Sequence, residues 1–137
     1  MYKSIFIATD ESNNALRAVK EVLNFNHGDI HVTLVYVKDA RATRDSVLHT
    51  DEAMSEKKHI LDTLQKAIAF LEDNAVRFEV KLLHGEVSDS LIQEMNNGSY
   101  DVALIGRTGK GIFKDLMIGS VSKKIIKAAD IPVLVVK

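Results

Sequence analysis

Four of the chain's seven glycines fall in the run Gly106-Arg107-Thr108-Gly109-Lys110-Gly111-Ile112-Phe113-Lys114-Asp115-Leu116-Met117-Ile118-Gly119-Ser120. The run leaves an apolar stretch, residues 102–105, and enters a segment with helical spacing of Val121, Ile125 and Ala128. Glycine lets a backbone approach an anion closely and adopt positive φ. Free N–H groups and the positive end of a helix favour phosphate. Ser120 and Ser122 add hydroxyl donors in the first turn, and Arg107, Lys110 and Lys114 add positive charge. A hydrogen bond to a charged oxygen contributes roughly 1.5–3 kcal/mol, so four or five reach the roughly 8 kcal/mol of micromolar binding before ordering costs. A plain surface loop closed by a glycine helix cap uses the same residues. The position between a buried strand and a helix start favours phosphate.

Other chemistries fit less well. No Gly-Lys-Ser/Thr closes a Walker A pattern, and the first strand ends in Ala8-Thr9-Asp10-Glu11-Ser12, without the glycines of a dinucleotide fingerprint. Asp10 stands at that strand's carboxyl end, where a carboxylate can accept two vicinal hydroxyl protons or cap the next helix; the two roles can coexist. His27, His31, His49, His59 and His84 are scattered without metal-ligand spacing, so no metal site is expected. A phosphoacceptor receiver needs an acidic pair after strand one, an Asp after strand three and a Lys before the late Pro. Here those places hold Glu11 alone beyond Asp10, His84 and Ile131. No residue is placed as a catalytic base beside the glycine loop, apart from Asp115 or Glu11 by chance.

The elements that must position these residues follow from periodicity. Residues 2–8 read as a β-branched and aromatic strand, and Ser12-Asn13-Asn14 offers N-caps for a helix carrying Ala15, Ala18, Val19, Val22 and Leu23. Residues 30–37 form a second strand, and Ile60, Leu61, Leu64, Ala67, Ile68 and Leu71 predict a long helix over 51–74. Residues 76–83 alternate apolar and polar, which predicts an edge strand or one with an open face. Ser88 or Asp89 is the expected cap of a short helix carrying Leu91, Ile92 and Met95, closed by Asn97-Gly98. Strand 102–105, a helix over 119–129 and strand 133–136 complete a βαβαβαβαβ order. That order implies one parallel sheet with helices on both faces, residues 2–8 and 102–105 central, and ligands at the strands' carboxyl ends.

Composition narrows the class. The chain has 137 residues, 46% hydrophobic and 27% charged, with net charge −1 and no Cys. One globular domain over 1–137 is expected, without disulfide, thiolate metal site or cysteine nucleophile. Near-zero charge offers no global field for nucleic acid, and no apolar run reaches a membrane span's length. The N-terminus lacks a signal peptide's features, and a cytoplasmic location is expected.

Gly106-x2-Gly109, nine residues, then Gly119-Ser120 resembles the Gly-x2-Gly-x9-Gly-Ser/Thr signature of the ATP-binding branch of the universal stress protein family. The surroundings agree: Ile7-Ala8-Thr9-Asp10 closes the first strand, Leu34-Val35-Tyr36-Val37 the second, and Ile131-Pro132-Val133-Leu134-Val135-Val136 ends the chain. The resemblance implies a five-stranded Rossmann-like sheet of the adenine nucleotide alpha hydrolase type, order 3-2-1-4-5. It implies a stress-response module that holds ATP, with Mg²⁺ or Mn²⁺ bridged by the phosphates. Ala8, Thr9 and Asp10 would meet ribose or adenine, and Val37 would meet adenine through its backbone. Ile105, Gly106, Thr108 and Gly109 would flank the nucleotide, and Gly119, Ser120, Val121 and Ser122 would bind phosphates. The family also implies a homodimer through the last strand and allows slow ATP hydrolysis; a nucleotide-free scaffold is the remaining alternative. The chain departs from the pattern at Ile112 after Gly111, at Asp115 where a basic residue is common, and at Glu11 where many members carry Gly.

Overall fold

In the computed structural model, residues 2–9, 13–25, 29–39, 62, 64–107 and 119–137 are described. The strands are β1 (Ser4–Thr9), β2 (His31–Asp39), β3 (Arg77–Gly85), β4 (Val102–Gly106) and β5 (Val133–Val136). The helices are α1 (Asn13–Glu21), which tightens into a 3₁₀ turn at Val22–Asn24, α2 (64–73), α3 (Val87–Asn97) and α4 (Ser120–Ala128). All four strand pairings are parallel and the order is β3-β2-β1-β4-β5, as the alternating pattern and the family resemblance imply.

Two cores result because side chains alternate across a strand. Ile5, Ile7, Val32, Leu34 and Leu104 point to one face, where Ala18 and Val19 of α1 and Ala67 and Leu71 of α2 cover them. Phe6, Val35, Ala103 and Ile105 point to the other, under Leu91 and Met95 of α3 and Ile125 of α4. Ile5, Phe6 and Ile7 of β1, Val32, Leu34 and Val35 of β2, and Ala103 and Leu104 of β4 have no exposure. β1 and β4 are apolar on both faces, which is what a sheet covered on both sides requires. β3 alternates and lies at an edge.

Strand ends shift by one or two residues from the sequence expectation, and β5 matches it. The described part of the second helix covers 64–73; the earlier part of the expected span, apart from Asp62, lies outside the described residues. One cap is corrected. α3 is capped not by Ser88 or Asp89 but by Glu86, whose carboxylate accepts from Ser88 N at 3.3 Å and Asp89 N at 2.7 Å. Ser88 is already inside the helix and buried, and its hydroxyl donates to Glu86 at 2.8 and 3.0 Å. The longer side chain reaches back over the first turn, where a carboxylate also meets the positive end of the helix.

Two glycines have different reasons. Gly85 turns the chain from β3 into α3 with φ of 138°, a conformation L side chains rarely adopt. Gly98 has φ of −82°, so its requirement is space: a Cβ there would strike the Tyr100 ring and lie 2.9 Å from Glu94 O. At the base of the sheet Asp101 accepts from Lys3 N and Ser4 N at 2.8 and 2.9 Å, tying the entries of β1 and β4 together.

Candidate functional site

Right-handed crossovers in a parallel sheet start every following helix at the carboxyl ends of the strands. α1, α3 and α4 therefore begin at one end of the molecule, after β1, β3 and β4. There a cleft of about 100 Å³ opens between the ends of the two central strands. Ala8 and Thr9 of β1 and Ile105 and Gly106 of β4 line its sheet side. Ala15 of α1, Val87 and Leu91 of α3, and Val121, Ser122 and Ile125 of α4 complete it. Its volume is a fraction of the roughly 300–1,000 Å³ of a typical ligand site. The segments that follow β1 and β4, residues 10–12 and 108–118, lie outside the described residues.

The lining is mostly apolar, with few polar groups. Thr9 is 8% exposed and its hydroxyl donates to Val35 O at 3.0 Å, which fixes the last residue of β1 against β2. Ser122 is 3% exposed and sits in the first turn of α4. Gly119 is the N-cap of α4, with φ of −61°, and as a glycine it supplies no side-chain cap. A helix N-terminus offers N–H donors and a positive partial charge to an anion. At α3 the opposite holds. The Asp89 amide, then the Ser88 hydroxyl, hold the Glu86 carboxyl down to about 2 against its usual 4.5, with the Lys124 ammonium of α4 adding to the effect.

The structure brings Ala8, Thr9, Ile105, Gly106, Val121 and Ser122 to one cleft, with Gly119 and Ser120 directly before Val121 at the same helix end. Val37 lies near the carboxyl end of β2, 7% exposed, within the α3–α4 core and outside the cleft lining. Asp10, Thr108 and Gly109 lie outside the described residues. Sequence reasoning missed Ala15, Val87, Leu91 and Ile125 as lining and Glu86 as the neighbouring cap. Val87 and Leu91 are one helical turn apart at the start of the helix after strand three, a spacing that could have pointed to them.

A second hollow, about 240 Å³, is larger but of a different kind. It runs along the β3 side of α3, between Leu83 and His84 of the strand and Ser90, Gln93, Glu94 and Asn97 of the helix. Its carboxylate is already engaged: Glu94 accepts from Lys81 Nζ at 2.8 Å and from Tyr100 OH at 2.9 Å. The Lys81 hydrogen bond lowers the Glu94 pKa, and the same contact raises that of Lys81. It has neither a helix start with a glycine N-cap nor a glycine in its lining, so the smaller cleft is the stronger candidate. No group of three or more His, Cys, Asp or Glu suited to a metal occurs among the described residues.

The profile of the Universal stress protein family matches residues 1–137. The chain belongs to this family. It is 30% identical to Universal stress protein MJ0531 of Methanocaldococcus jannaschii, over all of this chain and 83% of that protein. The solved structure of protein MJ0577 from the same organism superposes with a TM-score of 0.85 at 27% identity, covering 100% of this chain and 96% of that one. A universal stress protein family protein from Arabidopsis thaliana, solved with AMP bound, shares the fold with a TM-score of 0.73 at 22% identity over 98% and 91% of the two chains. Family membership and the β3-β2-β1-β4-β5 sheet thus agree with the glycine spacing that first suggested them.

Proposed function

We propose that this universal stress protein binds ATP at the carboxyl ends of β1 and β4 and acts as a regulatory, cytoplasmic stress-response module rather than an enzyme. One observation carries the reading: the cleft between these strands abuts the start of α4, a helix whose N-cap, Gly119, has no side chain to close it. Phosphate oxygens satisfy such N–H groups, and Ser120 and Ser122 add hydroxyls. In this reading Ala8, Thr9 and Asp10 meet the nucleoside and Val37 meets adenine through its backbone. Ile105, Gly106, Thr108 and Gly109 flank the nucleotide, and Gly119 to Ser122 take the phosphates. Mg²⁺ or Mn²⁺ would be held through those phosphates. The AMP bound in the Arabidopsis relative supports an adenine nucleotide as the ligand class.

The test is native mass spectrometry of freshly purified protein, followed by incubation with ATP and Mg²⁺. Retained, unhydrolysed ATP is expected; multiple turnover selects an ATPase, and no retained nucleotide with no binding selects a scaffold. Gly119→Val should abolish ATP binding with the fold intact, because the observed φ suits any L residue and only the space beside the phosphates is lost. Asp10→Ala should weaken ATP and adenosine alike, read by calorimetry. A loss for ATP alone would assign Asp10 to a bridging metal instead.

We also propose a homodimer through β5. Among the described strands β5 pairs only with β4, and its four residues carry no charge. Leu134 and, on the neighbouring helix, Ile126 are 39% and 45% exposed. Two-fold pairing of the edges would satisfy the backbone and cover these side chains.

A further inference from the structure

The chain holds one Asn-Gly pair, and it falls where α3 ends: Asn97 is the helix's last residue and Gly98 its C-cap. Asn97 is exposed and lines the open hollow between α3 and β3. Packing demands the glycine. A Cβ at position 98 would meet the Tyr100 ring, so the residue after Asn97 has no side chain to shield its backbone nitrogen. That nitrogen donates to Glu94 O at 2.9 Å, the bond that closes the helix. The chain is anchored on either side. Asn96 is tied to Ala128 O and Asp130 N, and Asp101 is tied through its amide to Ser4 O and through its carboxylate to Lys3 N and Ser4 N. Opening the last turn of α3 breaks the Gly98–Glu94 bond and leaves these anchors and the sheet in place. Helix ends open locally in this way at low free energy.

We propose that Asn97 is a site of spontaneous modification: in the opened turn the Gly98 nitrogen attacks the Asn97 side-chain amide, and the asparagine becomes aspartate or isoaspartate. The bond from Gly98 N to Asn97 Cγ forms, the Cγ–Nδ2 bond breaks, and ammonia leaves with the proton from Gly98 N. Water then opens the cyclic imide at either carbonyl. No oxidant, cofactor or second protein takes part. The closed turn holds the nitrogen on the Glu94 carbonyl, so the folded chain converts slowly. The product changes the helix end. It places a negative charge at the C-terminal, negative pole of α3, one turn from the Glu94 carboxylate. Glu94 already carries the Lys81 ion pair and the Tyr100 hydrogen bond. The isoaspartyl form also adds a methylene to the main chain ahead of Gly98, which moves that residue off the Glu94 carbonyl and against the Tyr100 ring. Conversion is a one-way loosening of this end of α3.

The experiment is incubation of the full chain at mildly alkaline pH, followed by digestion and mass spectrometry that separates the Asn, Asp and isoAsp peptides and locates the change by fragment ions. Asn24, Asn74 and Asn96 serve as internal controls. Asn97 should convert while those three stay intact, and the rate should rise with pH because the attacking nitrogen gives up its proton. It should be roughly tenfold below the rate of the same chain in urea, since the turn must open first. Asn96→Ala frees the end of α3 from α4 and should raise the rate severalfold with an unchanged circular dichroism spectrum. Asn97→Asp, which carries the product's charge, should lower the thermal midpoint. An Asn97 that stays intact in the folded chain overturns the proposal, whether or not it converts in urea, as does equal conversion at Asn74 or Asn96. A rate unmoved by Asn96→Ala overturns the assignment to the opened turn; if that variant fails to fold, urea below the unfolding transition takes its place with the same expectation. An Asn97→Asp chain as stable as the wild type overturns the loosening of the helix end.

Discussion

At the scale of single residues, the stability of the site end rests on a few backbone contacts. The Thr9 hydroxyl donates to Val35 O within the sheet, where exposure is only 8%. Thr9→Val keeps the shape and removes that hydrogen bond, so about 1 kcal/mol of stability should be lost in urea unfolding. A variant as stable as the wild type would show that the bond is replaced without cost. Gly98 is constrained by its neighbours. Gly98→Ala drives a Cβ into the Tyr100 ring, which itself packs edge-on against Phe6 with ring centres 5.2 Å apart. The ring must move, and overpacking of this kind costs roughly 1–3 kcal/mol. The thermal midpoint should fall accordingly, and a second change of Tyr100 to a smaller residue should restore part of it.

At the scale of elements, the two edges of the sheet are protected unequally. β3 carries Arg77, Glu79 and Lys81, and Lys81 is tied across to Glu94 of α3 at 2.8 Å. Charges along an edge discourage a second strand from docking. β5 has none, so the bare edge is the one to expect in a dimer. The ladder shows which backbone groups are available: Ala103 N donates to Pro132 O and Arg107 N to Val136 O, so the even-numbered residues turn toward β4. Those of Val133 and Val135 turn outward. Val135→Pro removes an outward N–H while leaving the β4 ladder intact, and proline is tolerated at such edge positions. Sedimentation should then show a monomer with an unchanged circular dichroism spectrum, against a dimeric wild type; a monomeric wild type at tens of micromolar would sink the dimer. The helix pair is fastened separately. Asn96 at the end of α3 donates to Ala128 O at 2.9 Å and accepts from Asp130 N at 2.8 Å. These bonds satisfy a carbonyl and an amide that the end of α4 would otherwise leave to water.

At the scale of the molecule, charge organisation decides the response to pH. Asp101, Glu86 and Glu94 all have lowered pKa values, caused first by the Ser4 amide, the Asp89 amide and the Lys81 side chain respectively. A carboxylate whose folded pKa is depressed stabilises fully above its unfolded value and loses that contribution as pH falls through the folded one. Stability should therefore decline from about the usual 4.5 of Glu downward, with the Glu86 part persisting to about 2. Asp101→Asn should flatten this acid limb below about the usual 3.8 of Asp, read as urea midpoint against pH. Lys81 and Tyr100 are shifted upward, so their contributions hold below 10.5 and 10.0 and are lost as pH rises further. No helix among the described residues is long and apolar enough to cross a membrane.

Much of this was legible in the chain because the signals are local. Continuous apolar runs identify β1, β4 and β5, alternation identifies β3, and apolar residues at a spacing of about 3.6 identify the helices, since each element must turn its apolar side inward. The alternation over 76–83 revealed the edge strand for the same reason. The glycine spacing from Gly106 to Gly119-Ser120 pointed to phosphate, since backbone approach to an anion is itself a local demand. The convergence of Ala8, Ala15, Val87, Leu91, Ile105 and Val121 on one cleft was decided by the sheet order and by two helices packing on one face. No periodicity encodes which turns of separate helices meet. The capping of α3 was likewise a competition among Glu86, Ser88 and Asp89, three residues that can all accept from a helix start. Burial of Ser88 beneath the helix settled it, leaving the exposed carboxylate to close the start of α3, whereas the N-cap of α4 is a glycine.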